Sequence, residues 1–226
     1  MTDFHAHILP GADHGSDGLE TSLRQLALAE EAGIRTIVAT PHFYPQAEEY
    51  ADFLRKRERT YAQLLANYHG PVRILLGAEV HMCVGLDHLQ GMEELCIPGT
   101  RVMLAELPMR GSPVGLTETF LRLMEEKRID PILAHVDRYD PAHIENFFSM
   151  GLRGQVNASA LCRLFGRRRL IGWIDGDFIH ALGSDIHGTE IGYSEYLKAR
   201  AYLGARADRL ERRMKRLLAG ALRTEE

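Results

Sequence analysis

The sequence predicts an α/β fold built on parallel strands, in a single domain that covers residues 1–226. Short apolar runs rich in β-branched residues alternate along the chain with longer amphipathic stretches, which is the pattern of βαβ units. Seven strand candidates of this kind point to a barrel or near-barrel. No internal repeat or linker interrupts the pattern, and 226 residues with 45% hydrophobic content are enough for one large core.

The strand candidates are short apolar runs separated by turn residues. In chain order they are Thr2–Leu9, Arg35–Pro41, Val72–His81, Arg101–Leu107, Pro131–Val136, Gly154–Ala158 and Ala181–Ile186. Helices are expected between them, where apolar residues recur every three or four positions and a glycine often follows. The helix candidates are Leu19–Ala32, Ala47–Tyr68, Leu116–Lys127, Pro141–Met150 and Tyr193–Leu203.

Two further stretches complete the prediction of elements. Residues 206–216 place apolar side chains at helical spacing between arginines, which predicts an amphipathic helix with a solvated basic face. Residues 84–99 are the least periodic part of the chain and predict a loop with a short helix.

Composition restricts the function classes. A net charge of −4 gives no global attraction to nucleic acid. No run of 18 apolar residues exists, and the chain opens without a basic segment followed by an apolar one, so a cytoplasmic, soluble protein is expected. The three cysteines, Cys83, Cys96 and Cys162, form no C-x-x-C pair and are expected to be buried small hydrophobes.

Histidines and carboxylates fall at the carboxyl ends of the predicted strands. In parallel α/β architectures these ends converge on one rim, so residues distant in sequence can meet there. His5 and His7 alternate with apolar residues, and both imidazoles therefore point to the same face of the first strand. The later strands contribute His42, Glu79, Glu106, His135, Asp185 and His187.

This donor set predicts a metal centre. Imidazole and carboxylate ligands without thiolates suit zinc, manganese or iron, and manganese is favoured where oxygen ligands are numerous. Two or three such ions close together would polarise a phosphoryl oxygen and generate hydroxide near neutral pH. The predicted chemistry is therefore hydrolysis of a phosphoester.

The same residues lie in motifs that cover nearly the whole chain. They are D-F-H-A-H-I-L-P-G-A-D-H-G (Asp3–Gly15), A-T-P-H (Ala39–His42), G-A-E-V (Gly77–Val80), L-A-H-V-D-R-Y (Leu133–Tyr139), Q-V-N-A-S (Gln155–Ser159) and G-S-D-I-H (Gly183–His187). In order and spacing they resemble the motifs of the PHP (polymerase and histidinol phosphatase) superfamily. Within that superfamily, the resemblance is strongest to the bacterial protein-tyrosine phosphatases encoded with capsule and exopolysaccharide genes. The resemblance implies a distorted seven-stranded (β/α)7 TIM-like barrel.

The resemblance also implies a site for two or three divalent ions, manganese in first place. One ion would be held by His5, His7, Glu79 and Asp185, and Glu79 would bridge to a second ion held by Glu106 and His135. A third would be held by His42, His187 and the residue at position 14. The capsule phosphatases usually read D-D-G where this chain reads Asp13-His14-Gly15, so His14 is expected as the ligand and Asp13 is the fallback.

By the same resemblance, the substrate would be a phosphotyrosine protein, such as the tail of a bacterial tyrosine autokinase, attacked by a metal-bridging hydroxide. Arg138 matches a phosphate-binding arginine of the family, whereas the arginine expected after His187 is missing. Arg110 is a candidate replacement, although nothing in its spacing favours it. Asp137 is expected either as a general acid or as a carboxylate that orients a ligand histidine.

Several alternatives stay open at this stage. One is a small-molecule phosphatase, such as a histidinol phosphatase acting on a phosphate monoester, and another is a non-catalytic metal-binding interaction module. A thiol phosphatase is a third, because Cys162 and Arg168 have C-x5-R spacing, although Leu164 and Phe165 fit a phosphate loop poorly. His81 is expected at the rim of the site, and four histidines are expected elsewhere on the surface or in the core: His69, His88, His143 and His180. Nucleic acid and membrane are not expected partners, and the oligomeric state is left open.

Overall fold

The computed structural model describes residues 1–109, 111 and 113–223. The strands in this part of the chain are β1 (Thr2–Ala6), β2 (Thr36–Ala39), β3 (His42–Phe43), β4 (Arg73–Leu76), β5 (Glu79–His81), β6 (Val102–Glu106), β7 (Asp130–Leu133), β8 (Arg153–Asn157) and β9 (Ile179–Gly183). The helices are α1 (Leu19–Glu31), α2 (Tyr50–Asn67), α3 (Leu116–Glu125), α4 (Pro141–Ser149), α5 (Ala158–Cys162), α6 (Arg167–Asp175), α7 (Ser194–Leu203) and α8 (Ala205–Leu217).

The strands form two parallel sheets, which confirms the prediction of a parallel α/β fold. One sheet has the order β1-β2-β4, and the other has the order β3-β5-β6-β7-β8-β9. All pairings in both sheets are parallel. Since the strands run the same way, their carboxyl ends lie on one rim.

Two of the strands expected from the sequence are interrupted. Residues 35–41 give β2 and β3, and residues 72–81 give β4 and β5. Pro41 has no backbone N–H, so the ladder cannot pass through it unbroken. The neighbouring segment, residues 72–81, is interrupted at the same level, between β4 and β5. The Glu79 N–H still donates to the Pro41 carbonyl at 3.0 Å. β2 and β4 therefore pair in one sheet, and β3 and β5 pair in the other.

The last strand lies beside the first. The Asp185 N–H donates to the His5 carbonyl at 2.8 Å, and the His7 N–H donates to the Ile186 carbonyl at 3.2 Å. Gly183 permits this approach, because a Cβ at that position would lie 2.5 Å from the Cβ of His5. The first and the last strand thus bring their polar residues to the same rim, although they belong to different sheets.

Most helices were predicted, and the exceptions have a physical explanation. The amphipathic helix expected over residues 206–216 is α8, which buries Leu210 and Met214. The helices α5 and α6 were missed: α5 has only five residues, and α6 opens with three arginines that hide its apolar face. That face is Leu170, Trp173 and Ile174, which recur at helical spacing and are buried.

Other sequence expectations have mixed outcomes. Residues 84–99 contain two 3₁₀ turns, Leu86–His88 and Met92–Leu95, in an otherwise irregular loop. Of the three cysteines expected to be buried, only Cys96 is, and the other two are half-buried free thiols. Within the described residues, no helix combines the length and the apolar content that crossing a membrane requires.

Candidate metal centre

The centre of the site is the carboxylate of Glu79, which begins β5 and is fully buried. Its Oε2 lies 3.2 Å from Nε2 of both His5 and His7 and 3.0 Å from Nδ1 of His42. Its Oε1 lies 2.7 Å from Nε2 of His135. Burial by itself would raise the pKa of Glu79, but the histidines around it, His5 first, hold that pKa well below its usual value. A buried anion surrounded by four imidazoles is the core of the predicted donor set.

Two further carboxylates extend the cluster in opposite directions. Asp185 Oδ1 lies 3.5 Å from Nε2 of His5, 3.4 Å from Nε2 of His7 and 3.6 Å from Nδ1 of His187. On the other side, Glu106 Oε1 lies 3.6 Å from Nε2 of His135. Asp185 and His135 have left-handed backbone conformations, with φ of 54° and 30°. Such conformations are costly for residues other than glycine and are common where side chains are aimed at a site.

Among the described residues, three groups of donor atoms are close enough to share an ion. Within each group the atoms lie no more than 4.8 Å apart, and the groups are His7 with His42 and His187, His5 with His7 and Asp185, and His42 with Glu79 and Glu106. Burial, and then the neighbouring His7, lower the pKa of His187 to about 4, so its ring is neutral at physiological pH and offers a lone pair.

The structure distinguishes the positions of His14 and Asp13. The His14 ring stacks on those of His42 and His187, at centroid distances of 4.8 Å and 4.7 Å. Asp13 lies behind the cluster, where its Oδ2 accepts from His7 Nδ1 at 2.7 Å and from the His42 N–H at 3.0 Å. Burial opposes ionisation of Asp13, but the hydrogen bond from His7 holds its pKa below the ordinary value. Asp13 therefore orients His7, whereas His14 joins the imidazole group.

Hydrogen bonds fix which nitrogen of His5 faces the cluster. Gln155 Oε1 accepts from the His135 N–H at 2.6 Å, which identifies this atom as the oxygen of the amide. The same oxygen lies 3.2 Å from His5 Nδ1, so Nδ1 carries the proton. Nε2 of His5 is therefore the ring nitrogen that faces the cluster. Burial by itself would lower the pKa of His5, but the carboxylates of Glu79 and Asp185 raise it above its usual value.

The arrangement of lone pairs fits a metal cation. His7 likewise donates from Nδ1 to Asp13, so the Nε2 atoms of His5 and His7 both face the cluster and lie 3.0 Å apart. Burial by itself would lower the pKa of His7, but its hydrogen bonds to carboxylates, that to Asp13 first, hold this pKa well above its usual value. Glu79 Oε2 and His42 Nδ1 are buried and lie 3.0 Å apart, yet neither is aligned for a hydrogen bond within the described part of the chain. Imidazoles packed this closely around a buried carboxylate require positive charge among them, which protons on the rings or bound cations can supply. The donor set is nitrogen and oxygen without sulfur, as in sites for zinc, manganese or iron.

Two buried amides, Gln155 and Asn157, here called the amide relay, connect to the cluster through hydrogen bonds. Gln155 Nε2 donates to Asn157 Oδ1 at 2.8 Å, and Asn157 Nδ2 donates to Asp185 Oδ2 at 2.8 Å. Asp137 Oδ1 accepts from the Asn157 N–H at 3.0 Å, and burial raises the pKa of Asp137. Gln155 and Asn157 lie in the Q-V-N-A-S motif, but their roles could not be predicted, because an amide in a strand carries no signal of what it contacts.

A cleft of about 350 Å³ adjoins the cluster. It is lined by Arg138, Arg163, Asp185, His187 and Ile191, among others. Arg138 donates from Nη2 to Asp185 Oδ2, which ties the guanidinium to the rim of the cluster. Arg163 was missed by the sequence analysis, since one arginine in a basic stretch has no distinctive spacing. Arg110, the replacement considered from the sequence, lies outside the described residues.

The remaining histidines lie where the sequence analysis expected them. His81 Nδ1 is 3.2 Å from Glu106 Oε2, at the edge of the cluster. His69 and His88 are exposed, His143 packs near Phe147, and His180 contacts the carbonyl of Asp177. None of these four takes part in a group of donor atoms within the described residues.

The thiol-phosphatase alternative does not fit the structure. Cys162 ends α5, and its Sγ donates to the Glu195 carbonyl at 3.4 Å. Burial raises the pKa of the Cys162 thiol, whereas a nucleophilic cysteine needs a lowered one. Leu164 and Phe165 follow it as exposed bulky residues. The C-x5-R spacing is therefore a coincidence within a basic stretch.

Comparisons with known proteins agree with the resemblance seen in the motifs. CpsB of Streptococcus pneumoniae, a tyrosine-protein phosphatase, is 30% identical over 212 residues, which cover 84% of each chain. YwqE of Bacillus subtilis, also a tyrosine-protein phosphatase, is 28% identical over 207 residues, covering 84% of this chain and 78% of the relative.

The fold and the family are shown by two further matches. A crystal structure from work on YwqE and CpsB, described as metal-dependent tyrosine phosphatases, superposes with a TM-score of 0.79 at 23% identity. The match covers 97% of this chain and 95% of the other, and it shows a shared fold. A family described as "Capsular polysaccharide synthesis, CpsB/CapC" matches residues 1–220. The chain therefore belongs to the CpsB/CapC family of capsular polysaccharide synthesis proteins.

Proposed function

We propose that this chain is a metal-dependent protein-tyrosine phosphatase that hydrolyses phosphotyrosine by direct attack of water, without a phosphoenzyme. The observation that carries the proposal is the buried Glu79 carboxylate, which lies within 3.2 Å of nitrogens from four histidines. Divalent ions held there would supply Lewis acidity and would make water a nucleophile at neutral pH. The activity of the relatives CpsB and YwqE supports the same assignment.

We propose the following ligand sets for two or three ions. His5, His7, Glu79 and Asp185 hold the first, and Glu79, Glu106 and His135 hold the second. His14, His42 and His187 hold the third. Manganese is our first choice because three carboxylates contribute, and iron and zinc are the alternatives.

The protein's own groups bind and orient the substrate. Arg138 and Arg163 line the cleft beside Asp185 and His187, so two guanidinium groups face the space next to the ion cluster. Planar guanidinium groups bind phosphate oxygens in a bidentate manner and neutralise the charge that develops on them. We propose that Arg138 holds the phosphoryl group and that Arg163 supplies the second cation in place of the arginine missing after His187.

Asp137 fits a positioning role better than that of a general acid. Its Oδ1 accepts from the Asn157 N–H, and its side chain lines a different, smaller cavity with Arg163 and Trp173. A phenolate leaving group needs little protonation, so phosphotyrosine hydrolysis places a weak demand on a general acid. We propose that Asp137 holds Asn157, whose side chain holds Asp185.

The wider context of the proposal follows from the family. We propose a tyrosine kinase of capsule or exopolysaccharide synthesis as the phosphotyrosine partner and the cytoplasm as the location. We also propose that the two sheets act as one distorted seven-stranded barrel in a single domain. This counts β2 with β3 and β4 with β5 as one strand each, and the hydrogen bonds between β1 and the residues after β9 support it.

The experiment that tests the function compares four substrates on metal-loaded protein, each with and without chelator. We expect selective, chelator-sensitive hydrolysis of a phosphotyrosine peptide over a phosphoserine peptide, histidinol phosphate and a nuclease substrate. A preference for histidinol phosphate would replace the proposal with a small-molecule phosphatase. No turnover of any substrate by fully loaded protein would favour a non-catalytic metal-binding module.

Substitution of Arg138 by alanine is expected to lower kcat/KM for a phosphotyrosine peptide by about 10- to 100-fold, as hydrogen bonds to a charged group are each worth about 1.5–3 kcal/mol. Arg163→Ala is expected to act in the same direction with a smaller effect, mainly on KM, because Arg138 is held at the cluster by Asp185 whereas no such contact with a described residue holds Arg163. Steady-state kinetics of both variants measure this. Arg59→Ala, an exposed arginine on α2, is the control, and equal losses in all three variants would contradict the assignment.

Cys162→Ser is expected to keep full phosphatase activity, since its thiol donates to a backbone carbonyl and has a raised pKa. Initial rates on a phosphotyrosine peptide, with and without chelator, test this. The thiol mechanism would be supported instead if Cys162→Ser lost activity and the wild-type activity were unaffected by chelator.

A further inference from the structure

A cleft lined by several arginines lies away from the metal centre. A cleft of about 620 Å³, here called the basic cleft, lies between the amino ends of β6 to β9 and the end of α8. Since the ion cluster lies at the carboxyl ends of the strands, the basic cleft lies on the opposite rim. The proposed reaction makes no use of it.

Guanidinium groups dominate its lining. Six arginines face the cleft: Arg101, Arg128, Arg153, Arg213, Arg216 and Arg223. Among the described residues, two carboxylates line it with them, Asp130 and Asp177. The chain as a whole has a net charge of −4, so this excess of cations is local. A cleft lined by one sign of charge concentrates its field and raises the local concentration of counter-ions.

The two carboxylates are already paired. Asp130 accepts from Arg153 Nη2 with both oxygens, at 2.8 Å and 3.0 Å. Asp177 Oδ1 lies 2.5 Å from Nη2 of the buried Arg213. These two ion pairs are sufficient to explain Arg153 and Arg213 as parts of the fold. No other described acid lines the cleft beside the remaining arginines.

The other guanidinium groups have no anionic partner among residues 1–109, 111 and 113–223. Arg101 donates to the backbone carbonyls of Lys127 and Arg128, and Arg223 donates to the carbonyl of Ala219. Arg128 and Arg216 form no ion pair with a described residue. Arg128 also has a left-handed backbone, with φ of 58°, and its carbonyl is fixed by Arg101. Several arginines that no described carboxylate neutralises therefore line one cleft.

We infer that the basic cleft binds a compound with several phosphate groups in a row, such as a nucleoside triphosphate or inorganic polyphosphate. Guanidinium groups from separate elements suit a ligand whose anionic groups are spread along its length, because each arginine can take its own pair of oxygens. The volume of about 620 Å³ lies in the range of small-ligand sites. A single phosphate would neutralise only part of the lining.

The test is calorimetric binding of inorganic triphosphate to the metal-loaded full chain. The double variant Arg128→Glu/Arg216→Glu is expected to bind at least about tenfold more weakly, because two charge-assisted contacts are reversed in sign. The control Arg24→Glu/Arg59→Glu makes the same change in net charge on exposed faces of α1 and α2 and is expected to bind like wild type. Arg128→Gln/Arg216→Gln removes the charges without repulsion and gives a second reading if the first variant unfolds.

Further experiments distinguish binding at the basic cleft from binding at the metal centre and identify which phosphate compound binds. Binding must persist after chelator treatment and in Arg138→Ala, and phosphotyrosine hydrolysis must be unchanged in the Arg128/Arg216 variants. Parallel titrations with a nucleoside triphosphate and with long-chain polyphosphate show which source binds more tightly. The inference is overturned if wild type does not bind triphosphate, if the Arg24/Arg59 control weakens equally, or if chelation abolishes binding.

Discussion

Glu79→Gln is expected to lower kcat/KM for a phosphotyrosine peptide by about 10³-fold or more, as metal ions contribute several kcal/mol of charge stabilisation to such a reaction. The carboxylate contacts nitrogens of four histidines with its two oxygens, so it belongs to more than one of the proposed ligand sets. Glutamine keeps the size of the side chain but has no charge to balance cations. Bound metal is expected to fall together with activity.

Kinetics and elemental analysis of the same purified sample measure both effects. Glu125→Gln, an exposed glutamate at the end of α3, is the matched control and is expected to behave like wild type. If Glu79→Gln retained its ions and its rate, Glu79 would be a structural carboxylate that only balances the neighbouring histidines. A variant that keeps its ions but loses its rate would place Glu79 outside the ligand sets while leaving it essential.

Gln155→Leu is expected to weaken metal binding by about 10- to 100-fold, the usual effect of removing a group that orients a metal-binding histidine. The amide oxygen fixes the tautomer of His5 and accepts from the His135 N–H, while the amide nitrogen holds Asn157. Leucine leaves these buried groups without partners, at about 1–3 kcal/mol each. The free energy of unfolding of the metal-free protein is therefore also expected to fall.

Metal titration followed by isothermal calorimetry, with denaturant unfolding of the metal-free protein, separates the two consequences. Gln155→Glu keeps an acceptor for His5 and His135 and is expected to recover part of the metal affinity that leucine loses. Gln63→Leu, at an exposed position of α2, is the control for a change of polarity alone. If leucine and glutamate lowered stability equally and left metal affinity unchanged, the relay would serve only the fold.

Much of this site could be predicted because its histidines and carboxylates lie at the carboxyl ends of strands. His5 on β1 and His7 directly after it alternate with buried apolar residues, and Asp185 follows β9, so residues far apart in sequence share one rim. Parallel pairing alone brings these positions together. Their residue types then indicate the chemistry without knowledge of the exact geometry.

The details that escaped prediction depend on contacts rather than on spacing. Pro41 and Gly77 divide two expected strands, but the sequence does not reveal that both breaks fall at the same level of paired strands. The different positions of Asp13 and His14 depend on which side of a tight turn each one faces. Arg163 reaches the cleft because the short helix α5 ends just before it. Hydrogen-bond partners such as that of Gln155 require coordinates, since an amide in a strand has no characteristic pattern.

The most direct test of the account is a titration of chelator-stripped protein with manganese, in which bound metal and phosphotyrosine-peptide hydrolysis are measured in the same samples. We expect no hydrolysis without metal, and a rate that rises as two or three ions bind per chain, with Glu79→Gln showing neither. Full hydrolysis by protein that elemental analysis finds free of metal would contradict the account.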